Sequence, residues 1–382
     1  MAGAAVVLGL LAAAATVPLW LPSWIEGRHN PAPPPLRVAP VDRARHAGLF
    51  VADLHADSLL WGRDLRRRTR RGHLDLPRMR AGNLALAVFS IVTQVPRGLN
   101  LHRNDGRSDD ITWLSMAQGL PPRTWFSLAA RAEYHAARLA RWAADPAARL
   151  VLLRSRQDLE ALLRRRAVDR RWVGALLALE GAHAFEGRLE NVARLDRAGV
   201  RMVGLVHFFD NRVGGSAHGV GKGGLTAFGR RLLRELEARR MVVDLAHASP
   251  RLLDEVVARA RRPVVVSHTG VQATCPGPRN LSDAQLRAVA ATGGLVGIGL
   301  WPEAVCGRGL DAVVRALRHA VAVAGVDHVA LGSDFDGSVA VPVDAAGLAA
   351  LSAALHAGGF GRAEVRRILG GNVLRLLREG LP

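Results

Sequence analysis

From Leu49 onward, short apolar runs recur along the chain: LFVADLH, LALAVFSIV, VGALLALEG, RMVGLVH, MVVDLAH, PVVVSH, GLVGIGL and HVALGSD. Each is apolar almost without interruption, where a strand with one wet face would alternate. Continuous apolar strands are buried on both faces, as in parallel sheets covered by helices. The segments between them are amphipathic and rich in arginine, and they carry helix punctuation. Ser249 precedes Pro250 ahead of RLLDEVVARARR, an N-cap followed by proline in the first turn. Ser282 and Gln285 stand at capping-box spacing, and Gly293 and Gly294 stop the same helix. Eight strand-helix units in one chain predict an α/β fold, a (β/α)8 TIM barrel. A doubly wound open sheet is the alternative. It leaves unexplained why so many runs end on polar residues, whereas a barrel builds its active site from those ends. Residues 101–125, with Pro121 and Pro122, read as an insertion after the second strand.

Ahead of the barrel, residues 2–25 carry no charge and are long enough to span a bilayer as a helix, so residues 1–25 read as a signal peptide or a membrane anchor. The central AAAA offers small residues for cleavage, yet no basic residue precedes the apolar run. Arg28, Arg37, Arg43 and Arg45 follow it, and the positive-inside tendency would hold the following chain inside. Residues 26–47, containing PAPPPL, read as an extended Pro-rich linker, and residues 48–382 as one catalytic domain.

Composition changes this picture little. A chain of 382 residues that is 49% hydrophobic has material for a large core, which excludes a disordered or fibrous protein. The net charge of +19 would suggest nucleic acid if the basic residues clustered. They are instead arginines scattered through helix after helix, with Lys222 the single lysine, so they read as solvated helix faces and no nucleic-acid partner is expected.

The chemistry lies at the strand ends, where six of the eight runs finish on or beside an ionisable residue. His55 and Asp57 are two residues apart and share one face of an extended strand, so both can meet one divalent ion. Glu180 ends an apolar run where an unpaired carboxylate would be costly to bury, a cost that bridging two cations removes. His247 and His268 close consecutive runs at equivalent positions and suit a second zinc-like ion. Taken singly, each has an ordinary explanation as a polar turn, an ion pair or a satisfied hydrogen bonder. Together they point to metal. His207 has no carboxylate in its own run and is read as a donor to a developing oxyanion. Asp334, first after the eighth strand, suits a proton carrier, while Asp336 is read as orienting the loop. Arg279, in GPRNL, could clamp a substrate carboxylate, although it is one arginine among many. His183 and His218 receive no role, and His102, His135, His319 and His356 fall in helices or loops.

The segments VADLHADSLL, ALEGAHAF, VGLVHFFDN, GGLTAFGRRLLRELEARRMVVDLAH, PVVVSHTGVQATCPGPRNLSD, DHVALGSDFDG and GGNVLRLL resemble the membrane (renal) dipeptidase family, the M19 metallopeptidases of the amidohydrolase superfamily. The likeness runs from Leu49 to Leu377 and includes 21 residues from His247 to His268 and 11 more to Arg279. It implies two Zn2+ per chain, with His55 and Asp57 on one, His247 and His268 on the other, and Glu180 between them. It further implies that His207 contacts the scissile carbonyl, Arg279 the substrate carboxylate, and Asp334 the bridging water and free amine. The expected activity is hydrolysis of dipeptides, C-terminal D-residues included, by a metal-bridging hydroxide. Cys275 and Cys306 match a disulfide pair of secreted members, which favours a periplasmic or membrane-anchored, outward-facing enzyme over the orientation the arginines suggest. Two departures stand out. Ala246 replaces a serine common in the family, and His102 to Trp125 match poorly, leaving the cleft rim undefined. Rival readings are another binuclear amidohydrolase, such as a deacylase or deaminase, which would not need Arg279, and a catalytically inert surface-binding relative. Small dipeptides are the expected partners, the N-terminal segment implies membrane association, and a homodimer is left open.

Overall fold

The computed structural model describes residues 20–382. Nine parallel strands form one sheet: β1 (Val51–Ala56), β2 (Leu84–Val92), β3 (Leu150–Leu152), β4 (Val173–Glu180), β5 (Val200–Gly204), β6 (Val242–Asp244), β7 (Val264–Thr269), β8 (Leu295–Ile298) and β9 (Val329–Leu331). Eight of them run β1-β2-β4-β5-β6-β7-β8-β9, with helices between. The ends meet where Ala56 pairs with Phe335 and the Asp57 amide donates to the Phe335 carbonyl at 2.8 Å, making a nearly closed (β/α)8 barrel. Each of the eight apolar runs holds one barrel strand, to within a residue at either end of the strand.

The reason for the continuous apolar runs is visible in the core. Ala87, Phe89, Leu177 and Leu179 belong to one buried cluster, while Leu86, Val88, Leu176 and Ala178 belong to another. Successive side chains of one strand point to opposite faces, and both faces are dry, so neither parity is released to polar residues. The helix punctuation is also as expected. The Ser249 hydroxyl accepts from the Leu252 amide at 3.0 Å, and Ser282 and Gln285 form a reciprocal capping box.

Three features depart from expectation. The ninth strand, β3, has only three residues and pairs with Val173–Ala175 of β4, on the edge that β5 takes over from Leu177. It follows an insertion longer than expected, with helices at Asp110–Ala117, Arg123–Phe126 and Leu128–Ala144. The fully buried Arg131 holds this insertion to the barrel, bonding the Asp109 carboxylate at 2.8 Å, the Thr124 carbonyl at 2.8 Å and the Thr93 carbonyl.

The third departure is the segment read as an extended linker, residues 26–47. Residues 20–29 are helical, and Pro40–Ala47 form another helix with proline at its start, where the missing N–H costs nothing. Glu26 is buried and paired with Arg63 and Arg71, and the buried His46 ring donates to the Gly82 carbonyl at 2.8 Å. The segment is therefore fastened to the barrel, and only its stretch of prolines is extended. Residues 1–19, most of the expected signal peptide or anchor, lie outside the described residues. Among the described residues no helix is long and apolar enough to cross a membrane.

Cys275 and Cys306 form a disulfide, with Cα atoms 5.2 Å apart, and so tie the loop after β7 to the turn after β8. Closing a loop of 31 residues removes chain entropy from the unfolded state equivalent to about 3–4 kcal/mol.

Candidate metal centre

The barrel delivers eight polar side chains to one end of the sheet: His55, Asp57, Glu180, His207, His247, His268, Arg279 and Asp334, none more than 7% exposed. His55 lies within β1 and Asp57 just beyond it, Glu180 is the last residue of β4, and His268 lies within β7. His247 is not at the position equivalent to His268. It sits three residues past β6, in a left-handed conformation at φ 63° that turns its ring back over the barrel. Asp334 likewise lies three residues past β9 at φ 61°, followed by Asp336 and Ser338 with φ of 66° and 62°. Three non-glycine residues in this region within five positions are strained backbone, and such strain persists where the surroundings over-determine it, as at a functional site.

Glu180 forks between two groups. Its Oε2 is 3.5 Å from His55 Nε2, which is itself 3.4 Å from Asp57 Oδ1. Its Oε1 is 3.0 Å from His247 Nε2, 3.4 Å from His207 Nε2 and 3.5 Å from His268 Nε2. Ligand atoms held about 2.0–2.2 Å from a tetrahedral zinc stand roughly 3.3–3.6 Å from one another, so these separations suit ions placed between the side chains. His55 Nε2, Asp57 Oδ1 and Glu180 Oε2 are buried without any hydrogen-bond partner and converge on one point. Orphaned buried donors and acceptors are costly, and a cation is the partner this donor set fits. The sequence-derived ligands are thus all brought together. His207 joins them, close enough to Glu180 and His247 to belong to a ligand-forming group, and Asp334 forms another with His55 and His268.

The electrostatics agree. Burial raises the pKa of Glu180 to about 7, with the Asp57 charge adding to the effect, and burial likewise pushes Asp334 well above the carboxylate range. Burial, reinforced by neighbouring cations, holds His247 and His268 well below the usual imidazole value, which leaves neutral rings with a free lone pair. His55 is the exception. Burial opposes its charge, but the carboxylates of Glu180 and Asp57 outweigh burial and raise its pKa. Three carboxylates in one dry pocket repel one another, and bound cations would remove that repulsion. Arg279 is fully desolvated, which brings its pKa down to about 10 against the pull of Asp334. Its guanidinium lies 5.6 Å from the Trp301 ring centroid, and Nη2 donates to the His268 carbonyl at 2.5 Å. Asp336 stays out of the centre: it binds Arg63, Ser58 Oγ and, at 2.6 Å, the His73 amide, and so fixes the loop behind Asp334.

A second layer of residues was not singled out from sequence. Asp244 Oδ2 accepts from Ser267 Oγ at 2.6 Å, so that hydroxyl's lone pair is free to accept from His268 Nδ1–H at 2.9 Å. The chain Asp244–Ser267–His268 thereby sets the tautomer that turns His268 Nε2, lone pair outward, toward Glu180. On the opposite side Asp53 accepts from the Ser333 amide at 2.8 Å and from its hydroxyl, anchoring the strand that leads to Asp334. The signal existed, since Asp53 and Asp244 are charged residues inside otherwise apolar runs. Ser267→Ala is expected to weaken metal binding by about 10- to 100-fold, the usual effect of removing such an outer partner, as read by chelator competition. Unchanged affinity would show that His268 needs no orienting hydroxyl.

All eight site residues except the strand-embedded His55 line one cavity of about 810 Å³, which also takes in Trp301 and the apolar Leu60, Trp61, Val92 and Ile111. The family model for membrane dipeptidase, peptidase family M19, matches residues 44–380. An uncharacterized protein in the pqqA 5′ region of Klebsiella pneumoniae is 33% identical over 252 residues, covering 62% of this chain and 91% of that protein. Among solved structures, dipeptidase AC, a metallopeptidase of family M19, is 28% identical with a TM-score of 0.69, covering 87% of this chain and 99% of that one. A metallopeptidase from Rhodobacter sphaeroides, liganded with a phosphinate mimic of the dipeptide L-Ala-D-Ala, is 27% identical with a TM-score of 0.69 and the same coverage.

Proposed function

Since this chain belongs to the membrane dipeptidase family, peptidase family M19, we propose that it is a binuclear zinc dipeptidase. The observation that carries the reading is the forked placement of Glu180, with Oε2 facing His55 and Oε1 facing His247 and His268. Zinc ions held there by His55, Asp57, Glu180, His247 and His268 would supply a lowered pKa for water and polarisation of the scissile carbonyl. The remaining residues provide what a dipeptide needs. Arg279, buried over Trp301 and lining the cavity, is the cation for the terminal carboxylate. His207 directs an imidazole at the centre, where it donates to the carbonyl oxygen as negative charge develops. Asp334 accepts a proton at its carboxylate, holds the free amine of the substrate, and returns the proton to the departing amine. A site with a cationic group for one terminus and an anionic group for the other favours a substrate of two residues. Acceptance of a C-terminal D-residue is proposed from the ligand of the Rhodobacter sphaeroides relative.

The Cys275–Cys306 disulfide favours an oxidising compartment, so we place the enzyme outside the cytoplasm, periplasmic or facing outward from a membrane. Metal analysis of the purified protein, together with a panel of L,L and L,D dipeptides, tests the whole reading. Two zinc ions per chain and hydrolysis confined to unblocked dipeptides are expected. Fewer than two ions would overturn the binuclear assignment, and turnover of N-acyl amino acids without dipeptide hydrolysis would make the protein a deacylase.

A further inference from the structure

The helix at residues 20–29 is not explained by the barrel or by the metal centre. Leu21, Ile25 and His29 line the same cavity as Asp57, Glu180 and Asp334. Ile25 packs on the buried cluster of Leu60, Trp61, Val92 and Ile111, which forms an apolar wall of that cavity. The helix is latched to the loops that carry the site. Glu26, 1% exposed, pairs with Arg63, which in turn pairs with Asp336, two residues beyond Asp334. One turn further, the Ser338 amide donates to the Asn30 side chain at 2.9 Å, and the His73 ring donates to the Pro31 carbonyl at 3.0 Å. A helix fastened by a buried ion-pair chain at its centre and by two hydrogen bonds at its end has a set position over the cavity.

We infer that residues 20–30 are a wall of the substrate cavity and that Leu21 and Ile25, with Leu60 and Trp61, form a subsite for an apolar side chain on the N-terminal residue of the dipeptide. The inference rests on the dipeptidase reading for the substrate's orientation. The latch reaches the loops after β1 and β9, which carry Asp57 and Asp334, the amine-binding side. Arg279 and Trp301 come from the loops after β7 and β8. A side chain attached beside the amine therefore faces the helix. The consequence for processing is direct: cleavage after residue 25 would remove Leu21 and Ile25 from the enzyme, whereas cleavage within AAAA at residues 12–15 would leave the wall whole.

The test uses the full chain loaded with zinc and three dipeptides, Leu-Gly, Gly-Leu and Gly-Gly. With Ile25→Ala the ratio of kcat/KM for Leu-Gly over Gly-Gly is expected to fall about tenfold, the scale of discrimination lost when methylenes leave an apolar pocket. The ratio for Gly-Leu over Gly-Gly is expected to stay within twofold. Leu21→Ala repeats the measurement at an outer position should Ile25→Ala fold poorly. As a readout free of activity, Glu26→Ala is expected to expose residues 20–30 to limited proteolysis that the parent protein resists. Equal losses on all three substrates, a fall confined to Gly-Leu, or ready cleavage of the parent at residues 20–30 would overturn the inference. A parent enzyme that cleaves none of the three would overturn the dipeptidase reading itself, a result distinct from any of these.

Discussion

Glu180→Gln is expected to lower kcat/KM for dipeptides by at least about 1000-fold and to leave the purified protein with fewer than two zinc ions. Removing one preorganised electrostatic group from an active site costs on the order of 100- to 1000-fold, and Glu180 faces both halves of the candidate centre. Its Oε1 stands 3.0 Å from His247 Nε2 and its Oε2 3.5 Å from His55 Nε2. An amide keeps the shape but retains one oxygen, and its NH2 group has no lone pair for a cation, so one of the two positions loses a ligand. The same change should act oppositely on the metal-free protein. Asp57, Glu180 and Asp334 crowd one buried pocket, and neutralising one of them relieves their repulsion. Thermal unfolding after chelation is therefore expected to show Glu180→Gln at least as stable as the parent. Activity within tenfold of the parent, with two zinc ions retained, would remove Glu180 from the bridging role.

The barrel was legible because burial on both faces writes itself into the chain as unbroken apolar runs, and eight such runs leave few architectures. What escaped is what short-range pattern cannot encode. β3 spans only Leu150–Leu152, fewer residues than any period needs. His247 looked equivalent to His268 because each follows an apolar run by sequence, but β6 ends at Asp244 and a left-handed turn at His247 itself supplies the missing reach. The candidate ligands converge nonetheless, because a ring on a turn can reach the point that a ring on a strand reaches.

At residues 20–25 the apolar pattern is compatible with two roles. Apolar residues that suit a bilayer also suit the wall of a cavity, and Leu21 and Ile25 do the second in this fold. The residue that fastens the segment to the barrel is Glu26, whose partner Arg63 is anchored in turn on Asp336, more than three hundred residues from Glu26 in the chain. No local pattern links them. The second layer was closer to view. Asp53 and Asp244 stood as charges inside apolar runs, and asking which hydroxyl each would bind leads to Ser333 and Ser267.

On the proposed reading, Arg279 is the residue that would separate a dipeptidase from other hydrolases on this barrel. The guanidinium is buried, held over Trp301, bonded through Nη2 to the His268 carbonyl, and among the groups that line the cavity. Truncating one partner of a buried, hydrogen-bonded charge pair costs about 2–5 kcal/mol, so Arg279→Ala is expected to lower kcat/KM for free dipeptides by roughly 30- to 5000-fold, mainly through KM. The comparison that isolates the carboxylate is a dipeptide against its C-terminal amide. The parent should discriminate strongly between them, since the amide leaves a buried cation without its counter-charge. Arg279→Ala should hydrolyse the two at rates within a few-fold of each other. Zinc content must stay at the parent's level, because the His268 carbonyl loses a donor but its ring keeps the bond to Ser267. If the variant still prefers the free carboxylate by the parent's margin, another cation reads the C-terminus, and a nearby group such as Arg308, which also lines the cavity, takes that role.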